Sequence, residues 1–181
     1  QGAALQEKLR TFFASAVMDW KAFAKYPVGN CLPLENSLHS FSEKAFREAE
    51  GILFVGAAGI AVRAIAPFVE RKDNDPAVLV LDDTGKYVIP ILSGHLGGAN
   101  ALSEQVAAFL GAEAVITTST DGHALFSVDS FAVKQNAFIV ETDRIKVISS
   151  EILKGNPVGF QSDYPVEGNL PQELIGEKNL P

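Results

Sequence analysis

Apolar and polar positions follow one another along this chain in short blocks, each with its own period. Leu5, Leu9, Phe12 and Phe13 recur at helical spacing with Gln6, Glu7, Lys8 and Arg10 between them, which predicts a helix over residues 3–13. Residues 14–33 hold no clear period, and Trp20, Pro27, Gly29 and Pro33 predict a loop or an irregular strand. Ser40-Phe41-Ser42-Glu43 has the form of a capping box, so a helix to about Ala49 is expected, with Gly51 as its stop. Ile52-Leu53-Phe54-Val55 is an apolar run between Gly51 and Gly56, the pattern of a strand buried on both faces. After the turn Gly56-Ala57-Ala58-Gly59, an apolar helix is expected over Ile60–Val69, with Pro67 near its kinked end. Ala77–Leu81 predicts a second buried strand, Asp82-Asp83-Thr84-Gly85 a turn, and Tyr87–Leu92 a strand that returns as a hairpin. Pro90 marks an edge position or a bulge within it. The glycine-rich stretch Ser93-Gly94-His95-Leu96-Gly97-Gly98 leads into a helix over Ala99–Leu110, stopped by Gly111, and then a strand over Ala114–Thr118.

The order strand, helix, strand, strand, helix, strand points to the α/β class: a mainly parallel open sheet with helices on both faces. In that arrangement a strand is also expected ahead of the first helix, before Gly2. The pattern shifts after Gly122. Short helices are expected over 126–136 and 142–154, then a turn at Gly155-Asn156-Pro157 and a short strand Val158-Gly159-Phe160. These make a smaller α/β lobe. The expected division is 1–122 for the N-terminal α/β domain, 123–165 for the central lobe and 166–181 for a linker, which carries Gly168, Pro171 and Gly176.

Composition narrows the function classes. With 181 residues, 47% hydrophobic and 20% charged, the chain is long enough and apolar enough to bury a core without covalent staples. A net charge of −7 with no Lys/Arg run argues against a nucleic-acid partner and against an anionic membrane surface. No window reaches the roughly 18 apolar residues of a membrane span, and no basic-then-apolar leader opens the chain. The single cysteine, Cys31, excludes an intramolecular disulfide and a cysteine zinc site, and suits a reducing compartment such as the cytoplasm.

Three segments stand out chemically: Gly56–Gly59, Ser93–Asn100 and Thr117–His123. Each follows a predicted strand, and ligands in open α/β sheets bind beyond the C-terminal strand ends. If those strands are parallel, the three turns converge on one edge. Gly56, Ala57, Ala58 and Gly59 open a helix whose free amides suit an anionic group, with Arg63 one turn in; a bland strand-to-helix turn needs the same small residues. The dinucleotide and Walker fingerprints are absent. Ser93, Gly94, Gly97, Gly98 and Asn100 surround His95, and a histidine in a glycine loop suits a base, an acid or a ligand group. Ser93 beside His95 invites a nucleophile reading, without the elbow motif of the α/β-hydrolases. Thr118 lies in the polar string before Asp121 and His123, which suit either a histidine–carboxylate pair or a helix cap with a solvated histidine. Asp129 and His39 have weaker claims. The three histidines fit none of the usual zinc spacings. Phe12, Phe13, Phe54, Phe68 and Phe109 read as core, and Asp82 and Asp83 as a solvated turn.

Three runs of residues together resemble a known family. They are Phe54-Val55-Gly56-Ala57-Ala58-Gly59-Ile60-Ala61-Val62-Arg63-Ala64-Ile65-Ala66-Pro67, Leu92-Ser93-Gly94-His95-Leu96-Gly97-Gly98-Ala99-Asn100, and Ile116-Thr117-Thr118-Ser119-Thr120-Asp121. In this order and spacing they resemble the CbiG family, the cobalt-precorrin-5A hydrolases of anaerobic cobalamin biosynthesis. The likeness covers roughly residues 1–122 as the family's N-terminal segment and the remainder as its central segment, with a family C-terminal domain expected beyond Pro181. The resemblance implies a hydrolase that opens the ring A δ-lactone of cobalt-precorrin-5A, releases acetaldehyde and yields cobalt-precorrin-5B. It implies no cofactor of the protein's own, since the cobalt is carried by the substrate. The implied partners are cobalt-precorrin-5A and corrin-pathway enzymes such as the precorrin methyltransferases, with a homodimer left open.

The resemblance does not assign roles. From residue type and position, the candidate catalytic set is His95 with Asp121 and His123. The candidate substrate-binding set is Gly56, Ala57, Ala58, Gly59, Arg63, Ser93, Gly94, Gly97, Gly98, Asn100 and Thr118, with the glycine amides offered to an oxyanion or to peripheral carboxylates. Two rival readings stand beside it. One is a corrinoid-binding fragment whose catalysis needs a further domain; the other is a generic α/β domain that binds a phosphate-bearing small molecule.

Overall fold

In a computed structural model, residues 2–16, 18–27, 29–71, 74–118 and 125–176 are described. They divide into two units, Gln1–Ile116 and Thr117–Pro181, ahead of the expected boundary at Gly122.

The first unit is built around β4 (Ala77–Leu81), whose five residues are all buried. A strand that is apolar at every position has two faces to cover, and helices cover both. Ala77, Leu79 and Leu81 face α1 (Gly2–Ser15) and α4 (Ala99–Leu110), meeting Leu9, Phe12, Val106 and Ala107. Val78 lies in the opposite cluster with Ile52 and Ile65, backed by Ala45, Phe46 and Ala49 of α2 and its end. That second face is covered by α2 (Leu38–Glu48) and α3 (Ala58–Ile65), the latter continued by a 3₁₀ turn at Ala66–Phe68 where Pro67 ends the regular helix. Helices on both faces of the sheet are as the sequence predicts. Phe109 is the exception among the aromatic core residues: it is 45% exposed, although its ring lies 5.4 Å from that of Phe12.

The sheet order is β3 (Gly51–Val55), β4, β5 (Tyr87–Leu92) and β6 (Glu113–Ala114). β3 and β4 are parallel, β4 and β5 antiparallel, β5 and β6 parallel. β1 (Phe23–Ala24) and β2 (Leu32–Pro33) form a separate two-residue parallel pair within the region expected to be irregular. Pro90 lies opposite Leu79, next to a register shift between Val78 and Leu79, and the ladder with β6 stops at Val88, so Pro90 stands beside a bulge and at a local edge of β5. It also explains why β6 is two residues long and not the expected 114–118. The Val115 amide donates to the Val88 carbonyl at 2.8 Å, and the next bond of a parallel ladder would come from the N–H of residue 90, which proline lacks.

α2 starts earlier than the capping box suggests. Ser37 is the capping residue and its hydroxyl accepts from the Ser40 amide at 3.1 Å, while Glu43 pairs forward with Arg47.

The hairpin turn is organised by Asp82. Its Oδ1 accepts from the Lys86 and Tyr87 amides at 2.7 and 2.6 Å, and its Oδ2 from the Thr84 amide at 3.1 Å and the Thr84 hydroxyl. Gly85 takes φ +74°, and its amide donates to the Asp82 carbonyl at 3.0 Å. Asp82 is therefore a structural carboxylate within the turn and not merely a solvated one.

The second unit holds α5 (Val128–Lys134), α6 (Thr142–Leu153), β7 (Val158–Phe160) and β8 (Leu174–Gly176). Ala132, Ile145 and Ile152 are its buried apolar residues. β7 and β8 are parallel neighbours, so the segment expected to be a linker over 166–181 contributes a strand. The apolar pair Leu174-Ile175 in register with Val158-Gly159 supplies the reason.

Among the described residues, no helix is long and apolar enough to cross a membrane.

Partial desolvation pushes the Asp82 carboxyl up, and donations from the Thr84 hydroxyl and the Tyr87, Lys86 and Thr84 amides outweigh it, leaving it below the ordinary aspartate value. A carboxyl lowered on folding stabilises above its unfolded pKa, and that contribution is lost as pH falls through the lower folded value. Asp82→Asn is expected to cost about 1 kcal/mol of unfolding free energy at neutral pH. The deficit should shrink below the ordinary carboxylate range, as read from urea unfolding of both proteins between neutral and acid pH.

Candidate functional site

The direction of β5 decides what the three chemically marked turns share. β5 runs opposite to β3 and β4, so its C-terminal end lies at the edge where those strands begin. β6 runs with β5 and leads toward the same edge. Ser93–Asn100 therefore sits at the edge that also holds Asp75, and Gly56–Gly59 sits at the opposite edge beside the hairpin. Five residues of β3 at roughly 3.3 Å each put the two turns about 16 Å apart along the strands. The expected convergence of all three turns is corrected accordingly: the hairpin that the sequence itself predicts reverses the strand on which convergence relied.

At the hairpin edge, Gly56 takes φ +142° and its amide donates to the Leu81 carbonyl at 2.8 Å. That amide completes the pairing of β3 with β4 and is not offered to a ligand. Ala57 is the N-cap of α3, followed by Ala58 and Gly59 in its first turn, with no side-chain cap. Arg63 is exposed and folds back along its own helix, its Nη1 donating to the Gly59 carbonyl at 3.1 Å. This turn and the His95 loop lie at opposite ends of the strands, and the Arg63 guanidinium is folded back toward the turn.

At the other edge the loop folds tightly on itself. Ser93 takes φ +55°, is 7% exposed, and donates its hydroxyl to the Asp75 carbonyl at 2.8 Å. The Ala99 amide donates to the Ser93 carbonyl at 3.2 Å, the Asn100 amide to the Gly94 carbonyl at 2.9 Å, and the Gly98 amide to the His95 carbonyl at 3.0 Å. The Gly98 amide is thereby engaged within the loop, which removes it from the donors expected to face an oxyanion. Ser93 likewise is part of the loop's framework. His95 is half-buried, with Nε2 shut off from solvent.

Each glycine in this loop has its own physical reason. A Cβ on Gly97 would stand 2.4 Å from the Ser93 Cβ and 2.9 Å from the Ser93 carbonyl oxygen. A Cβ on Gly94 would meet the Asn100 Oδ1 at 2.7 Å, the far end of a side chain. Gly98 takes φ +78° as it starts α4.

The sequence singles out Ser93 and His95 but not Asp75. Asp75 is 8% exposed, and its carboxylate accepts from the Glu70 amide at 3.1 and 3.2 Å. Its signal in the sequence is the turn string Asn74-Asp75-Pro76 ahead of β4. Thr118 is half-buried and belongs to the second unit. Asp121 and His123 lie outside the described residues. His39 is exposed and lies against Phe68, ring centroids 5.0 Å apart, and Asp129 accepts from the Ser130 amide at 3.2 Å within the cap of α5. Among the described residues, no three His, Cys, Asp or Glu side chains gather as a metal-ligand set.

The loop geometry orders the effects of substitution. Gly97→Ala pushes against backbone and is expected to destabilise by roughly 1–3 kcal/mol. Gly94→Ala meets only a movable amide and should cost less. Thermal unfolding of the two variants side by side checks this, and equal melting temperatures would contradict the crowding at Gly97.

Comparison with known proteins places the chain. Residues 40–121 match the family described as Cobalamin synthesis G N-terminal, a span that includes the whole His95 loop. The chain is similar to the cobalt-precorrin-5A hydrolase of Salmonella typhimurium, 39% identical over 142 residues, covering 78% of this chain and 40% of that protein. It is similar to the cobalt-precorrin-5A hydrolase of Priestia megaterium at 33% identity over 154 residues, with the same two shares. The chain thus spans about 40% of the length of these relatives. Its fold is similar to that of a crystal structure described as a cobalamin biosynthesis protein G homologue from Sulfolobus solfataricus. There the TM-score is 0.55 at 23% identity, covering 96% of this chain and 49% of the other. Through residues 40–121, the chain belongs to the cobalamin synthesis G family and carries its N-terminal segment.

Proposed function

We propose that this chain is the N-terminal part of a cobalt-precorrin-5A hydrolase, and that the edge holding His95 faces the ring A lactone. The observation that carries this reading is the family match over 40–121, which runs through the glycine–histidine loop. The chemistry asks for what that loop can supply. Water adds to the lactone carbonyl and the ring C–O bond breaks, leaving a carboxylate and a hydroxyl. The hydroxyl then loses its proton as the neighbouring C–C bond breaks. Acetaldehyde leaves, and the electron pair stays on the macrocycle carbon, which takes up a proton. Each stage moves a proton at neutral pH, the work to which an imidazole is suited.

In this reading His95 takes the proton from the attacking water and serves again at the C–C step. Gly94, Gly97 and Asn100 are the proposed neighbours of substrate, while Thr118, Asp121 and His123 stand as candidates by residue type alone. Gly56–Gly59 are left out of this site because they lie at the other end of the strands, and Arg63 because its guanidinium is folded back onto the Gly59 carbonyl. Cobalt enters as part of the substrate, and no cofactor of the protein's own is invoked.

Acetaldehyde release from cobalt-precorrin-5A, coupled under anaerobic conditions to NADH oxidation by an alcohol dehydrogenase, tests the proposal. It is to be run on this chain and on a version extended at both ends. Release is expected from the extended version, falling by about 10²–10⁴-fold in His95→Ala with folding retained. Release by the short chain as well would place the whole catalytic set within it. Release by the extended version alone would make this chain the part that holds the corrinoid. Undiminished release in His95→Ala would remove His95 from the mechanism.

A further inference from the structure

Ser93 adopts a conformation that serine seldom takes. Its φ of +55° lies in the left-handed region, where glycine or asparagine is the usual occupant. It keeps that conformation while buried, and its hydroxyl donates to the Asp75 carbonyl at 2.8 Å. Asp75 is itself held, its carboxylate accepting from the Glu70 amide and its amide donating to the Arg71 carbonyl at 2.8 Å. One bond thus ties the first residue after β5 to the segment that leads into β4.

The rest of the loop closes on the same residue. The Ala99 amide donates to the Ser93 carbonyl, and Gly97 packs so closely on Ser93 that no side chain fits between them. His95 is carried between these two points of closure, its backbone carbonyl taken by the Gly98 amide.

We propose that Ser93 is a positioning residue for His95. Its hydroxyl bond to the Asp75 carbonyl latches the left-handed turn that sets the direction of the imidazole. The competing assignment makes Ser93 a nucleophile activated by His95, which requires the hydroxyl proton to point at the imidazole. In the structure that proton is directed to a buried backbone carbonyl. The catalytic part of this inference rests on the hydrolase reading above, while the latch itself is a property of the folded chain.

Two variants separate the possibilities. Ser93→Ala removes the donor and keeps a β carbon in the left-handed conformation. Ser93→Gly removes the donor and relieves that conformation. Histidine-ring NMR of the 181-residue chain across pH is the readout. In Ser93→Ala the ring shifts and titration midpoint of His95 are expected to move while those of His39 stay as in the wild type; in Ser93→Gly His95 moves less. A folded Ser93→Ala protein with His95 as in the wild type overturns the latch, and where Ser93→Ala fails to fold, an unmoved His95 in Ser93→Gly does the same. In the extended protein, acetaldehyde release by Ser93→Gly is expected within tenfold of wild type. Loss to the level of His95→Ala, with an undisturbed His95 spectrum, overturns the proposal and makes Ser93 the reacting group. If the wild type releases no acetaldehyde, the hydrolase reading fails and the NMR comparison still decides the latch.

Discussion

The turn at Asp82–Gly85 reverses the chain after its most buried strand, and the arrangement of the first unit follows from that reversal. β4 is covered on both faces, so the sheet can extend only sideways, and the tight turn delivers β5 to its open side antiparallel to it. From then on β5 and β6 point the other way from β3 and β4. The ends of the strands are thereby sorted into two sets. Gly56–Gly59 and the hairpin share one edge; Asp75 and the His95 loop share the other. A single carboxylate accepting several donors in one turn is a local device, yet it determines which loops can act together.

The His95 loop shows why glycine-rich sequence is ambiguous. Three glycines around a histidine look alike in the sequence, and the structure gives them different reasons. Gly97 is required by close packing on Ser93, Gly98 by a left-handed φ, and Gly94 by room for the Asn100 side chain. None of these requires a ligand. They make a short, closed loop with little freedom, and such a loop holds a side chain in one direction. The rigidity is therefore compatible with the proposed chemistry without being an argument for it; that argument comes from the family match and the type of the one titratable side chain in the loop.

Much of the local structure was legible. α4 and β7 coincide with their expected spans, because Gly111 is a strong stop and Val158–Phe160 is bounded by a turn and a change of pattern. The buried strand Ala77–Leu81 was legible from its unbroken apolar run. The shortness of β6 was not read from the sequence, since it depends on which neighbour Pro90 faces once β5 has β4 on its other side. β8 was hidden for a similar reason: three residues within a Pro- and Gly-bearing tail become a strand only by pairing with β7. Of the candidate site, the His95 loop was legible from its composition, whereas Asp75 was not, because its role lies in a contact with a residue 18 positions away.

The sequence by itself determined the kinds of element, the α/β class, the family to which residues 40–121 belong and the histidine loop as the place to look. These depend on local period, turn chemistry and residue type, which act over a few positions. Only the folded chain shows that the Gly56–Gly59 turn and His95 lie at opposite ends of the strands, that the Gly56 and Gly98 amides are already engaged, and that the Ser93 hydroxyl faces a buried carbonyl. Those are matters of strand direction and of which donor meets which acceptor, and a chain specifies them only when distant segments pack together.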